Sequence, residues 1–151
     1  MKKNKSSQYQ SGFTLIELVI VIIILGVLAV TAAPKFINLQ DDARKSAAQG
    51  VSAALQSAAQ IIYSRASLEG IETISSATPL SGLPNVDIIY GYPTANTISN
   101  AVTLDGWEVS GSPTSSTVDF YPSNTKGNQC YVTYKQATSS DPFNVTLNGC
   151  E

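Results

Sequence analysis

The chain has 151 residues, only 13% of them charged, and a net charge of −2, which fits one domain plus an accessory segment. It contains no histidine, so the usual general base near neutral pH and the commonest metal ligand are both missing. With no phosphate loop, no carboxylate pair at working spacing and no free cysteine nucleophile, neither catalysis nor a cofactor or metal site is expected.

The charge is uneven along the chain. Residues 1–12 hold Lys2, Lys3 and Lys5 and no acid, while the remainder holds six basic and eleven acidic residues, a net of −5. A basic stub beside a long apolar run is a topology signal, and no other basic cluster exists to propose nucleic-acid binding. From Phe13 to Ala33 only Thr14, Glu17, Gly26 and Thr31 are not plainly apolar. As a helix, these residues are about 31 Å long, matching a bilayer core of about 30 Å. A secretory signal has a shorter apolar core, of about 7–15 residues. The lysines should therefore stay cytoplasmic and the rest of the chain lie across the membrane.

Glu17 is the anomaly, because inserting a carboxylate into lipid is unfavourable and calls for a partner. In a simple signal anchor it would snorkel to the cytoplasmic interface. A cut between Gly12 and Phe13 offers another account. It would create an α-amino group one helical turn from Glu17, on the same chain or on the next subunit of an assembly. Pairing there would draw the acid out of lipid.

The stretch "GFTLIELVIVIIILGVLAVTAAPKF" resembles the N-terminus of type IV pilins, a family shared by major pilins, minor pilins and the pseudopilins of type II secretion. The resemblance implies a cleaved leader (1–12), with Gly12 before the cut and Phe13 as the new, N-methylated terminus. Glu17 then acts in subunit assembly. "AAPKFINLQDDARKSA" from Ala32 and "YGYP" from Tyr90 resemble the mannose-sensitive haemagglutinin (MSHA) type of pilin. This resemblance implies a homo-oligomeric helical filament, processed by a prepilin peptidase, stored in the inner membrane of a Gram-negative bacterium and built by a pilus assembly machine. The extracellular pilus would serve adhesion and biofilm formation. No residue marks the receptor.

The implied fold class is α+β, the type IV pilin fold: a helix over about 13–67, transmembrane in its N-terminal half, packed on a C-terminal antiparallel sheet. Residues 13–33 form the transmembrane and assembly helix, and 34–151 the globular domain with the rest of the helix. Gly26 and Pro34 are its weak points, one by entropy and one by a missing donor. They predict a bent but continuous helix in the monomer and local unwinding between them in a fibre. Val51, Leu55, Ala58 and Ile62 form a helical stripe flanked by Ala47 and Ala54. Asp41 and Asp42 read as a solvated helix face, and Gly70 as the terminator.

Glu69–Asn85 reads as a loop with a short helical turn around Ile71–Ser76. Strand signals come next, in "VDIIYGY" from Val86, "WEVSG", "TVDFYP", "CYVTYK" and "FNVTLNGC", although 86–98 also fits a loop. "SGSP", "SNTKGN" and "TSSDP" separate them. Alternation at Val118/Phe120 and Phe143/Val145/Leu147 predicts one face on the helix and one face wet. One of Tyr131 and Tyr134 belongs in the core and the other outside it. Asn144, in an N-x-T pattern but inside a strand, is not expected to carry glycan.

Cys130 and Cys150, in a chain that looks exported, read as one disulfide, with two buried thiols as the alternative. Closing a loop of about 21 residues is worth roughly 3 kcal/mol in the chain-entropy treatment. By resemblance, residues 131–149 face a receptor or a neighbour. The competing reading is a minor pilin or a type II secretion pseudopilin. Pseudopilins more often use calcium in this region, whereas Asp105, Asp119 and Asp141 are scattered here.

Overall fold

The computed structural model describes residues 12–110, 116–123 and 130–150. The expected leader, up to residue 11, lies outside the described residues, as do most of the expected "SGSP" and "SNTKGN" turns. Helix α1 runs Leu15–Glu69 with Pro34 inside it. The chain divides into two units, Met1–Gln40 and Asp41–Glu151.

In the first unit the described side chains, from Gly12 to Pro34 and beyond, are all exposed. An 18-residue window of mean hydropathy 3.0 makes this helix long and apolar enough to cross a membrane. Thr31 Oγ1 donates to the Leu28 carbonyl at 2.9 Å. This is the back-bonding by which a threonine hydroxyl is satisfied inside a helix.

In the second unit α1 buries a narrow stripe of Ala48, Val51, Ser52, Leu55, Ala59, Ile62 and Ala66. The expected stripe is right at Val51, Leu55 and Ile62. Ala58, the fourth member of the stripe, is half-buried beside the fully buried Ala59, and of the flanking alanines Ala54 is half-buried while Ala47 is exposed and Ala48 takes the buried place. The helix stops two residues later than expected, in a Schellman arrangement. Gly70 takes φ +71°; its N–H donates to the Ser67 carbonyl at 3.3 Å, and the Ile71 N–H reaches the Ala66 carbonyl at 3.0 Å. Both bonds satisfy carbonyls orphaned at the helix end, and Ile71 packs in the same cluster as Ala66, the apolar contact that accompanies this motif.

Residues 71–76 form no helix. They make a turn closed by the Ile74 N–H on the Ile71 carbonyl at 3.3 Å. Three short strands come after it, β1 (Thr78–Pro79), β2 (Asp87–Ile89) and β3 (Tyr92–Pro93), as an antiparallel sheet in that order. "VDIIYGY" is thus two strands folded back on each other rather than one. Ile89 pairs with Tyr92 across Tyr90 and Gly91, whose φ values are +50° and +79°. Two consecutive positive φ values define a two-residue hairpin turn whose twist suits antiparallel strands.

After a 3-10 turn at Ile98–Ala101, four strands make an antiparallel meander: β4 (Trp107–Ser110), β5 (Thr117–Pro122), β6 (Tyr131–Lys135) and β7 (Asn144–Asn148). Its register aligns Val118, Tyr134 and Val145 in one row and Phe120, Val132 and Leu147 in the next. These side chains face the helix and join Ala48, Val51, Leu55 and Ala59 in the main core. On the other face Asp119 accepts from Thr133 Oγ1 at 2.6 Å, and Thr133 Oγ1 accepts from Asn148 Nδ2 at 2.9 Å. Tyr134 is the core tyrosine, its hydroxyl donating to the Pro93 carbonyl at 2.8 Å. Tyr131 is half-buried against Tyr121, with ring centroids 5.1 Å apart. The fold is α+β, a long N-terminal helix packed on antiparallel sheets.

Candidate functional site

The chain enters α1 through Gly12, Phe13 and Thr14. The Thr14 N–H and its Oγ1 both donate to Glu17 Oε2 at 2.7 Å, and the Glu17 N–H donates back to Thr14 Oγ1 at 3.3 Å. The Leu18 N–H then reaches the Thr14 carbonyl at 3.3 Å, closing the first turn. This is a capping box, with Thr14 as the N-cap and Glu17 as the third helical residue. The carboxylate also lies where the helix dipole favours negative charge. The acid in the apolar run therefore has a partner within its own turn, one that a search for opposite charges passes over. "TLIE" carries the T-x-x-E pattern that announces it.

Phe13 is 94% exposed. With Glu17, Leu18, Ile20 and Val21 it lines an open, mostly apolar groove on the helix surface. Among the described residues, a Cβ added at Gly12 or at Gly26 would meet nothing within 4 Å. Neither glycine is required by packing within this chain, and Gly26 costs the helix about 1 kcal/mol relative to alanine. Ile22, Ile23, Gly26, Val27, Val30 and Thr31 line a second shallow groove. The structure thus brings Gly12, Phe13 and Glu17 into one turn and places Gly26 and Pro34 farther along the same helix.

The cysteines belong to the second unit. Cys130 and Cys150 are joined with S–S 2.04 Å and Cα–Cα 4.3 Å. The bond links the residue before β6 to the segment after β7, and the Cys130 N–H donates to the Gly149 carbonyl at 2.9 Å. Asp41 is exposed and pairs with Arg44 at 3.7 Å. Among the described residues no group of three or more His, Cys, Asp or Glu side chains is placed to hold a metal. Asn144 is exposed at the start of β7.

Three features meet here: an exposed apolar helix, a capped acid at its start and a disulfide-closed sheet. The prokaryotic N-terminal methylation motif matches residues 7–33. The type IV major fimbrial protein of Dichelobacter nodosus is 30% identical over 140 residues, covering 93% of this chain and 76% of that protein. The chain belongs to the type IV pilin family. A type IV narrow pilus major component of Thermus thermophilus is 33% identical over 90 residues, 60% of this chain and 66% of that protein. The match therefore spans just under two thirds of the Thermus pilin. The type II secretion system core protein G of Pseudomonas aeruginosa is 46% identical over 41 residues, 27% of this chain and 29% of that protein. No solved structure matches at a comparable level. Pilin relatives are structural fibre subunits, so the family implies filament assembly after N-terminal processing. In the isolated chain the apolar surface of the first unit is uncovered.

Proposed function

We propose that this pilin is the structural subunit of a type IV pilus of the MSHA type, polymerising through its N-terminal helix into a surface fibre for adhesion and biofilm formation. The observation that carries the reading is the exposed apolar face of α1 from Leu15 to Val30, interrupted by one acid at Glu17. Lipid covers this face before assembly, so packing between helices and the pairing of Glu17, rather than removal from water, hold it in the fibre.

Residues 1–12 are then a leader removed between Gly12 and Phe13, with N-methylation at Phe13. Residues 13–33 serve as membrane and assembly helix, and 34–151 as the exported domain. Thr14 and Glu17 both lie on the mature side of the proposed cut, so the capping box survives it. The new Phe13 amine adds a cation one turn away. Glu17 then meets that amine within its own subunit or on a neighbour, which sets the register of the stack. Gly26, with no packing role, and Pro34, which leaves the Val30 carbonyl without its helical donor, mark where the helix unwinds under load. The precursor resides in the inner membrane of a Gram-negative cell, with its N-terminus cytoplasmic, and hands over to the assembly machinery.

The test is to shear filaments from cells and take the intact mass and N-terminal sequence of the main protein. A chain starting at methylated Phe13, two mass units light for the disulfide, supports a major subunit. The second reading, a minor pilin or pseudopilin, draws on the similarity to the type II secretion core protein. Under it, the processed chain stays in the membrane fraction and is absent from sheared fibres.

A further inference from the structure

The outward face of the meander carries a run of hydrogen bonds that the filament reading leaves unused. Thr133 Oγ1 donates to Asp119 Oδ1 at 2.6 Å, and the Tyr121 hydroxyl donates to Asp119 Oδ2 at 3.3 Å. A carboxylate only accepts, so the single Thr133 hydroxyl hydrogen is committed to Asp119. The short distance is that of a charge-assisted bond. The Thr133 oxygen is left as an acceptor, and Asn148 Nδ2 donates to it at 2.9 Å. Asn148 stands opposite Tyr131 in the register and diagonal to Thr133, a separation that side chains span across a sheet. Asp119, Thr133 and Asn148 are all half-buried.

Asn148 is the one asparagine of the chain that precedes a glycine. Such a pair is chemically weak. Asparagine is thermolabile, and glycine, having no Cβ, leaves its own nitrogen unshielded. Attack by the Gly149 nitrogen on Asn148 Cγ forms an N–Cγ bond and breaks the Cγ–Nδ2 bond. The Gly149 hydrogen leaves with the amide nitrogen as ammonia, and a cyclic imide remains. Water then opens the imide, at the side-chain carbonyl to give aspartate or at the main-chain carbonyl to give isoaspartate; no electrons are transferred. The hydrogen bonds oppose the first step. Cγ must swing onto the Gly149 nitrogen, whereas Thr133 holds the amide across the strands. The backbone is pinned as well, because the Gly149 carbonyl accepts the Cys130 N–H at 2.9 Å. Gly149 itself is exposed, so water has access to the bond.

We propose that Asn148–Gly149 is a latent deamidation site, and that Thr133, oriented by Asp119, is the positioning residue that keeps it closed. The inference goes beyond the filament reading and does not rest on it. Once the amide is lost, the new carboxylate brings no donor to Thr133, and two acids contend for one hydroxyl. The isoaspartate product also lengthens the main chain beside Gly149 and loosens the hairpin end next to the disulfide.

The test incubates the full chain in detergent at constant pH and temperature and follows the one-unit mass gain of the peptide that holds Asn148. The same chain in guanidinium chloride gives the unprotected rate, and the folded parent should be at least tenfold slower. Thr133→Val keeps the branched shape without the hydroxyl and should deamidate at least fivefold faster than the parent. Thr133→Ser keeps the hydroxyl and should match the parent. Val145→Ala thins the core side of the same strand, controls for general loosening, and should stay within twofold of the parent. Trp107 fluorescence checks that each variant is folded. If Thr133→Val does not fold, Asp119→Ala takes its place: it leaves the Thr133 hydroxyl free to turn and should be at least twofold faster than the parent. The proposal is overturned if folded and unfolded chains deamidate alike, if Thr133→Val (or Asp119→Ala in its place) matches the parent, or if Val145→Ala or Thr133→Ser speeds the loss as much as Thr133→Val.

Discussion

Gly91→Ala is the sharpest probe of the globular unit, because two separate penalties meet at one atom. The first is conformational. Gly91 has φ +79°, and an L-residue in that left-handed region costs about 1–2 kcal/mol. The second is steric. The new methyl would sit 2.7 Å from Tyr63 Cδ2 and 2.9 Å from Cε2, with the Glu72 backbone 3.2 Å away. The ring cannot simply swing aside, since Tyr92 is stacked on it. Overpacking of this kind costs about 1–3 kcal/mol. The expected total of about 2–5 kcal/mol is a large share of a typical domain stability of about 5–15 kcal/mol. Urea unfolding of the detergent-solubilised chain, read by fluorescence of the single tryptophan, Trp107, gives the number. Repeating the substitution in a Tyr63→Ala background should leave the conformational share, about 1–2 kcal/mol, and the milder contact with the Glu72 backbone. The coupling would then be well above the roughly 0.3–0.5 kcal/mol scatter of independent sites. An equal cost in both backgrounds would refute the packing assigned to Tyr63.

Three further outcomes are expected. Cys150→Ser should cost roughly 3 kcal/mol through the reopened loop and lower subunit abundance, measured by unfolding and by immunoblot of the membrane fraction; unchanged stability would mean that strand pairing alone holds β6 to β7. Glu17→Ala should leave the subunit in the membrane while the number of fibres collapses, counted by electron microscopy; normal piliation would remove the register role from Glu17. Burial, with a smaller contribution from Tyr92, pushes the Tyr134 phenol well above its ordinary value. Its folded state therefore keeps the proton after the unfolded state has lost it. That stability is complete below about pH 10 and declines above it, by about 1.4 kcal/mol per pH unit. Tyr134→Phe should make the alkaline decline shallower while costing about 1–3 kcal/mol at neutral pH for the Pro93 carbonyl left without its donor.

The helix, its terminator and the four later strands were legible because each rests on a local pattern: a 21-residue apolar run, a glycine after the last apolar position, and alternation between turn residues; the order of those strands in the sheet was not, because pairing is a choice that no local pattern records. Three things were harder. The hairpin at Tyr90–Gly91 lacks the Asn-Gly or Asp-Gly pair that usually marks such a turn, so β-formers on both sides read as one strand. The helix stripe was displaced at its alanines because a methyl carries too little apolar weight to set a phase, and Ala48 rather than Ala47 packs under the sheet. At Glu17 the charge drew the reading away from Thr14, three residues earlier, although the capping pattern was in plain view. The stack of Tyr63 on Tyr92 was not legible at all: its rings come from α1 and β3, and only the folded chain brings them together.

The order β4-β5-β6-β7 follows the chain itself, and this bears on how the domain matures. Every strand finds its partner within one connection, so the sheet can zip without first closing a long loop, the step that slows folding of most all-β topologies. Cys130 and Cys150 flank the last hairpin, 20 residues apart. Pairing of β6 with β7 brings the two cysteines side by side. Cys130 is itself buried in the main core beside the helix stripe, so covalent closure ties the last hairpin to that core.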